Sequence, residues 1–114
     1  MQLERHDYGE AILIKVKEPR IDAAVAIQFK DRVRELAGDS ASRVLLDMEQ
    51  VEFLDSSGLG AVVAAMKQLG PDRKLELAGL TPTVDKVFRL TRMDTIFKIH
   101  TDASAAIVGL ANVS

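Results

Sequence analysis

The chain contains no cysteine and no tryptophan. Without a thiol there is no disulfide framework, no thiolate nucleophile and no thiolate metal site, a composition compatible with a reducing compartment. Aromatic residues make up only 4% of the chain, too few for the stacking platform on which single-strand nucleic-acid binders lay their bases. No run reaches the roughly 18 consecutive apolar residues of a membrane span. Met1 to Glu10 carries charges where the core of a secretory leader would be apolar. Neither membrane insertion nor export is expected, and the expected location is the cytoplasm. An excess of one charge is lacking too. Fifteen Lys and Arg stand interspersed with 17 Asp and Glu, a formal net charge of −2, so no basic field exists to hold a phosphate backbone and direct nucleic-acid binding is not expected.

What is present belongs to an ordinary folded domain. The 114 residues are 47% hydrophobic and 28% charged, enough apolar surface to offset ordering entropy. At this length roughly two-thirds of the unfolded chain's surface can be buried, which supports one core and one domain over residues 1–114.

Periodicity divides the chain into strands and helices. Glu10 to Glu18 alternates apolar and polar side chains over its second half, as a half-buried strand does, with a turn at Asp7-Tyr-Gly9 and a partner strand over Met1 to His6. The apolar run Arg43 to Asp47 predicts a strand buried on both faces. Lys74 to Ala78 predicts another, and Ile96 to Ile99 a weaker one. Asp22 can cap a helix whose stripe is Val25, Ala26, Phe29, Val33 and Leu36, ending near Gly38. Leu59, Val62, Val63, Met66 and Leu69 recur at helical spacing and stop at Gly70-Pro71. Thr81-Pro82 places a cap before a proline at the first helical position, leading into Val84, Val87, Phe88 and Leu90. A last helix runs from Asp102 through Ile107 and Leu110. This order predicts an α/β domain with a mixed, mostly parallel sheet of four or five strands, an N-terminal β-hairpin on one edge and about four helices.

The most unusual segment is Val51 to Ala61, where a short apolar run meets Asp55-Ser56-Ser57-Gly58 and then a helix. Amides in the first turn of a helix lack intrahelical partners and the dipole there is positive, so a hydroxyl can cap the helix and an added phosphate is tolerated. Gly58 and Gly60 keep that turn uncluttered for the approach of another protein or a nucleotide phosphate. The same residues also suit a plain turn and N-cap. Opposite the apolar stripe lie Ala61, Ala64, Ala65 and Gln68, a small, uncharged face where Lys and Glu are usual. Such a face suits docking, and alanine is equally a good helix former.

Catalytic and metal chemistry find little support. A serine nucleophile needs a neighbouring base, and His6 and His100 belong to no triad signature, while the Gly-x-Ser-x-Gly elbow is missing. No His, Asp or Glu group has ligand spacing, so no metal, cofactor or catalytic residue is expected. Val44-Leu-Leu-Asp47 resembles the phosphoacceptor strand of a receiver domain, but the acidic pair that such domains carry after their first strand has no counterpart here.

Asp55-Ser-Ser-Gly-Leu-Gly-Ala61 resembles the phosphorylation motif of STAS-domain anti-sigma factor antagonists of the sporulation and general-stress type. Arg20-Ile-Asp-Ala23 is similar to the family's loop before its first long helix, and Thr81 to Leu90 to its third helix, followed by a strand entry at Ile96-Phe97. The resemblance implies a STAS-like domain with Ser56 as phosphate acceptor, Ser57 being the alternative, and with Asp22 and Asp55 facing the kinase. The partner-binding set it suggests, with the helix face, is Asp22, Ala23, Asp55, Ser56, Ser57, Gly58, Gly60, Ala61, Ala64 and Gln68. The implied partners are an anti-sigma factor that is an ATP-dependent serine kinase, and a serine phosphatase. The unmodified form would bind the kinase and free the sigma factor, as a monomer or weak dimer. The alternative use of the same fold is a scaffold subunit in a stress-sensing complex or beside a transporter ATPase.

Overall fold

The computed structural model describes residues 1–39 and 41–111, with side chains as far as Ile107. A hairpin opens the chain. Strand β1 (Leu3–Tyr8) runs antiparallel to β2 (Ala11–Val16) around a turn in which Gly9 adopts a positive φ of 65°. A two-residue strand β3 (Arg20–Ile21) precedes helix α1 (Ala26–Ala37) and strand β4 (Arg43–Asp47). A second two-residue strand, β5 (Phe53–Leu54), leads into α2 (Ser56–Leu69) and β6 (Lys74–Ala78). Helix α3 (Pro82–Leu90), a 3-10 turn over Met93–Thr95, strand β7 (Lys98–His100) and helix α4 (Ala103–Ala111) complete the order.

The large sheet has the order β1-β2-β4-β6-β7, all parallel beyond the first hairpin, and β3 pairs with β5 in a small separate sheet. The expected mixed sheet with an N-terminal hairpin and four helices is present. Its two faces are covered unequally. Ile12, Ile14, Val44, Leu46, Leu75 and Leu77 join one core with Phe29 and Val33 of α1, Val62 of α2 and Val84 and Phe88 of α3. On the opposite face Leu13, Leu45 and Ala78 meet Ala106 of α4. Burial on both sides explains why β2 carries consecutive buried residues from Ala11 to Ile14 where simple alternation is expected of a half-buried strand.

Several elements are placed differently from the sequence reading, beginning with β1, which runs from Leu3 through Asp7 and Tyr8, where a turn is expected, because both pair with β2. Helix α1 begins at Ala26 with Val25 as its N-cap, because the Asp22 carboxylate accepts a hydrogen bond from the Ala24 amide at 3.1 Å and closes a turn instead of capping the helix. The last strand begins at Lys98 and not Ile96, since Ile96 closes the 3-10 turn with φ −95° and ψ −36°. Leu90, at the end of the α3 stripe, is 74% exposed. Thr81 does precede the proline-led helix, yet its hydroxyl donates to the Val51 carbonyl at 2.9 Å and ties α3 to the segment before β5. The side chain of Leu110 lies outside the described residues.

On the α4-side face a buried carboxylate, Glu76, sits between Arg43 and His100. Glu76, 4% exposed, receives Arg43 Nε and Nη2 at 2.6 Å each and faces His100 Nε2 at 2.7 Å. Burial opposes the charge on Glu76, but the hydrogen bonds from Arg43 and His100 outweigh it and hold the carboxyl below its ordinary value. A depressed folded value makes this contribution to stability complete above the unfolded pKa and lost as pH falls through the folded one. Thermal melts should therefore show Glu76→Gln flattening the acid limb of the wild-type profile below about pH 4.5. At pH 7 the substitution should cost about 2 kcal/mol, less than a fully buried pair because water reaches Arg43. An unchanged acid limb would exclude this role.

Candidate functional site

The serine junction is built on the small sheet. Pro19 O accepts from the Glu52 and Phe53 amides at 2.8 and 3.1 Å, and Ile21 O accepts from Asp55 N at 3.4 Å. Ile21 and Leu54 point into the core at 0% and 3% exposure and anchor the pair. Their neighbours face outward, with the Arg20 guanidinium 4.3 Å above the Phe53 ring and its Nε 3.5 Å from Asp22. Two loops distant in sequence, 19–24 and 52–57, are thereby held side by side.

Asp55 ends the extended segment with φ −96° and ψ −173° and caps α2, its carboxylate accepting from the Gly58 amide at 2.8 Å. The cap is the aspartate rather than a serine hydroxyl. That leaves Ser56 and Ser57 as the first two helical residues, both exposed, and neither hydroxyl is hydrogen-bonded among the described residues. Their position at a helix N-terminus, with free amides and a positive dipole end, can accommodate an added anion.

The rest of the helix corrects the expected docking face. Ala61 and Ala65 are 6% and 2% exposed, and Gly58 is buried too. Helix α2 packs on α1 as well as on the sheet, and Ala61 and Ala65 belong to the core rather than to the solvent face. Gly58 is an approach point for β3 of the same chain, and an added Cβ would lie 2.0 Å from Ile21 O. Gly60 is open, with nothing within 4 Å of a Cβ there. Ala64 is half-buried and Gln68 exposed. Asp22 is half-buried and Ala23 exposed.

Two large apolar residues outside the expected set are exposed. Ile27, in the first turn of α1, is 71% exposed and Phe53 36%. An isoleucine off the α1 stripe was the available signal for the first. Phe53 gave none, because an apolar run does not reveal which of its members faces out.

The two histidines stand elsewhere. His6 lies on edge strand β1, and His100, on the opposite edge strand, is engaged by Glu76. Asp47 is buried at the end of β4, where it accepts from the Glu49 amide at 3.1 Å. Among the described residues no group of three His, Cys, Asp or Glu side chains is placed to hold a metal, and no helix is long and apolar enough to cross a membrane.

A five-stranded mixed sheet with helices on both faces and an exposed serine pair opening its second helix defines a small α/β module. The STAS domain family matches residues 2–106, and the chain belongs to that family. It is 23% identical over 90 residues to the anti-sigma-F factor antagonist RsfB of Mycobacterium tuberculosis, covering 79% of this chain and 74% of that one. An anti-sigma factor antagonist from Mycobacterium paratuberculosis has the same fold with a TM-score of 0.83 and 22% identity, covering 95% of this chain and 92% of its own. SpoIIAA, a cell fate determinant of Bacillus, is 20% identical. Its unphosphorylated form has a TM-score of 0.76 over 99% of both chains, and its phosphorylated form 0.70 over 96% of this chain and 99% of that one.

Proposed function

We propose that the chain is a cytoplasmic anti-sigma factor antagonist that changes partners when Ser56 is phosphorylated. The observation that carries the reading is the pair of exposed, unbonded serine hydroxyls directly after the Asp55 cap. Family membership supports it, as does the likeness to SpoIIAA, a protein solved in both unphosphorylated and phosphorylated forms. In this reading the unmodified chain docks an ATP-dependent serine kinase that is also the anti-sigma factor, and a serine phosphatase restores the unmodified state. The docking surface comprises Ser56, Ser57 and Gly60 with Ala64 and Gln68 behind them, flanked by Asp22, Ala23 and the exposed Ile27.

The chain is a substrate in this scheme and not a catalyst. It has no phosphate-cradling Gly-x-x-x-x-Gly-Lys loop. Mass spectrometry after incubation with ATP and the cognate kinase should place one phosphate on Ser56, and Ser56→Ala should abolish labelling. Retained labelling in Ser56→Ala with loss in Ser57→Ala would move the acceptor by one residue. Labelling of the purified chain by ATP alone would overturn the passive role.

A further inference from the structure

The large sheet is notched at its β7 edge. Strand β7 begins at Lys98, opposite Glu76, so Lys74 and Leu75 of β6 pair with β4 alone. The chain enters β7 through the 3-10 turn, which leaves Ile96 half exposed beside the gap. The result is a cavity of about 550 Å³, within the roughly 300–1,000 Å³ of small-molecule sites. Met66, Leu75 and Ile96 supply its apolar lining.

The charge around it is one-sided. Arg43, Arg73, Lys74 and Lys98 line the cavity against a single carboxylate, Glu76, although the whole chain carries −2. Arg43 is matched by Glu76. Arg73 is occupied by the carbonyls of Ala37, Gly38 and Ala41 at 3.0, 2.6 and 2.6 Å, where it closes the end of α1. Lys74 and Lys98 make no ion pair among the described residues. Two unpaired ammonium groups beside an apolar hollow are complementary to a ligand with an anionic head and an apolar body.

We propose that this notch binds a small amphiphilic anion, a carboxylate or phosphate monoester bearing a short alkyl group. Met66 lies ten residues beyond Ser56 on α2, about 15 Å along the helix. Occupancy of the notch and phosphorylation of the serine therefore stand or fall separately.

The test titrates octanoate and octyl phosphate into the isotopically labelled full chain and follows backbone amides by NMR. Shifts should concentrate at Lys74 to Glu76 and Ile96 to Lys98, with affinity at least tenfold tighter than for 1-octanol or acetate. The double variant Lys74→Gln/Lys98→Gln should bind at least tenfold more weakly with an unchanged melting temperature, as both side chains are exposed. Equal affinity for 1-octanol, unchanged affinity in the double variant, or shifts confined to the Ser56 end would overturn the proposal. Binding to phosphatidylglycerol vesicles without binding to free octanoate would overturn it as well, by identifying a membrane-facing basic surface.

Discussion

Phosphorylation of Ser56 is expected to weaken binding of the kinase partner about a hundredfold while leaving the free domain folded. A phosphate adds about −1.5 to −2 charges near neutral pH, next to Asp55, whose carboxylate already caps the same helix. Asp22 adds a further negative group nearby, offset in part by Arg20 at 3.5 Å. In the free protein the group is solvated and sits at the positive end of α2, where the dipole is worth about 0.3–1 kcal/mol at an exposed site. Docking removes that water, and an imperfectly paired charge at a closed interface costs about 2–5 kcal/mol. About 2.8 kcal/mol corresponds to a hundredfold change in affinity. Calorimetry with enzymatically phosphorylated protein, alongside thermal melts, separates the two effects. Ser56→Asp should reproduce the loss only in part, because a carboxylate carries less charge. Undiminished binding of the phosphorylated sample, or binding lost through melting, would refute the electrostatic account.

The sequence carried the large sheet better than the small one, for physical reasons. Strands β4 and β6 lie over Arg43–Asp47 and Lys74–Ala78, where the sequence predicts them, since Val44, Leu45 and Leu46 in one and Leu75, Leu77 and Ala78 in the other are apolar on both faces of a sheet covered on each side. Proline at the first helical position likewise fixed the start of α3. Strands β3 and β5, two residues each, are too short to show a period. They exist because Ile21 and Leu54 are drawn into a core assembled from distant elements. The same contact decides what Asp22 does, for an aspartate before an apolar stripe can cap a helix or close a turn, and only the path of the following residues selects between them. In the site, local chemistry made Asp55-Ser56-Ser57 legible. The orientation of Gly58, Ala61 and Ala65 was not, because a run of small residues fits both a docking surface and close packing inside the fold, and the structure buries all three, Gly58 against β3.

Gly58 and Gly60, two residues apart, should respond to alanine in opposite directions. At Gly58 the new Cβ would stand 2.0 Å from Ile21 O, 2.9 Å from its carbonyl carbon and 3.2 Å from its Cγ2. The first two are backbone atoms, which cannot rotate aside as the end of a flexible side chain can. The same carbonyl accepts from Asp55 N, and the Gly58 amide is the donor to the Asp55 cap. Relief of the clash therefore has to separate α2 from β3 or break the cap, itself worth about 1 kcal/mol. Gly58→Ala is expected to cost about 3 kcal/mol or more, at the upper end of what single substitutions do. At Gly60 no atom lies within 4 Å of a Cβ and φ is not positive. Gly60→Ala should stabilise the free domain by about 0.4–1 kcal/mol by restricting the unfolded chain. That methyl group would nonetheless stand on the docking surface proposed above, so on that reading Gly60→Ala should weaken partner binding while raising stability. Urea titration and calorimetry on the two variants measure both signs. A Gly58→Ala protein as stable as wild type would mean that α2 does not seat on β3. A Gly60→Ala protein that binds the kinase undiminished would move the docking surface off this turn.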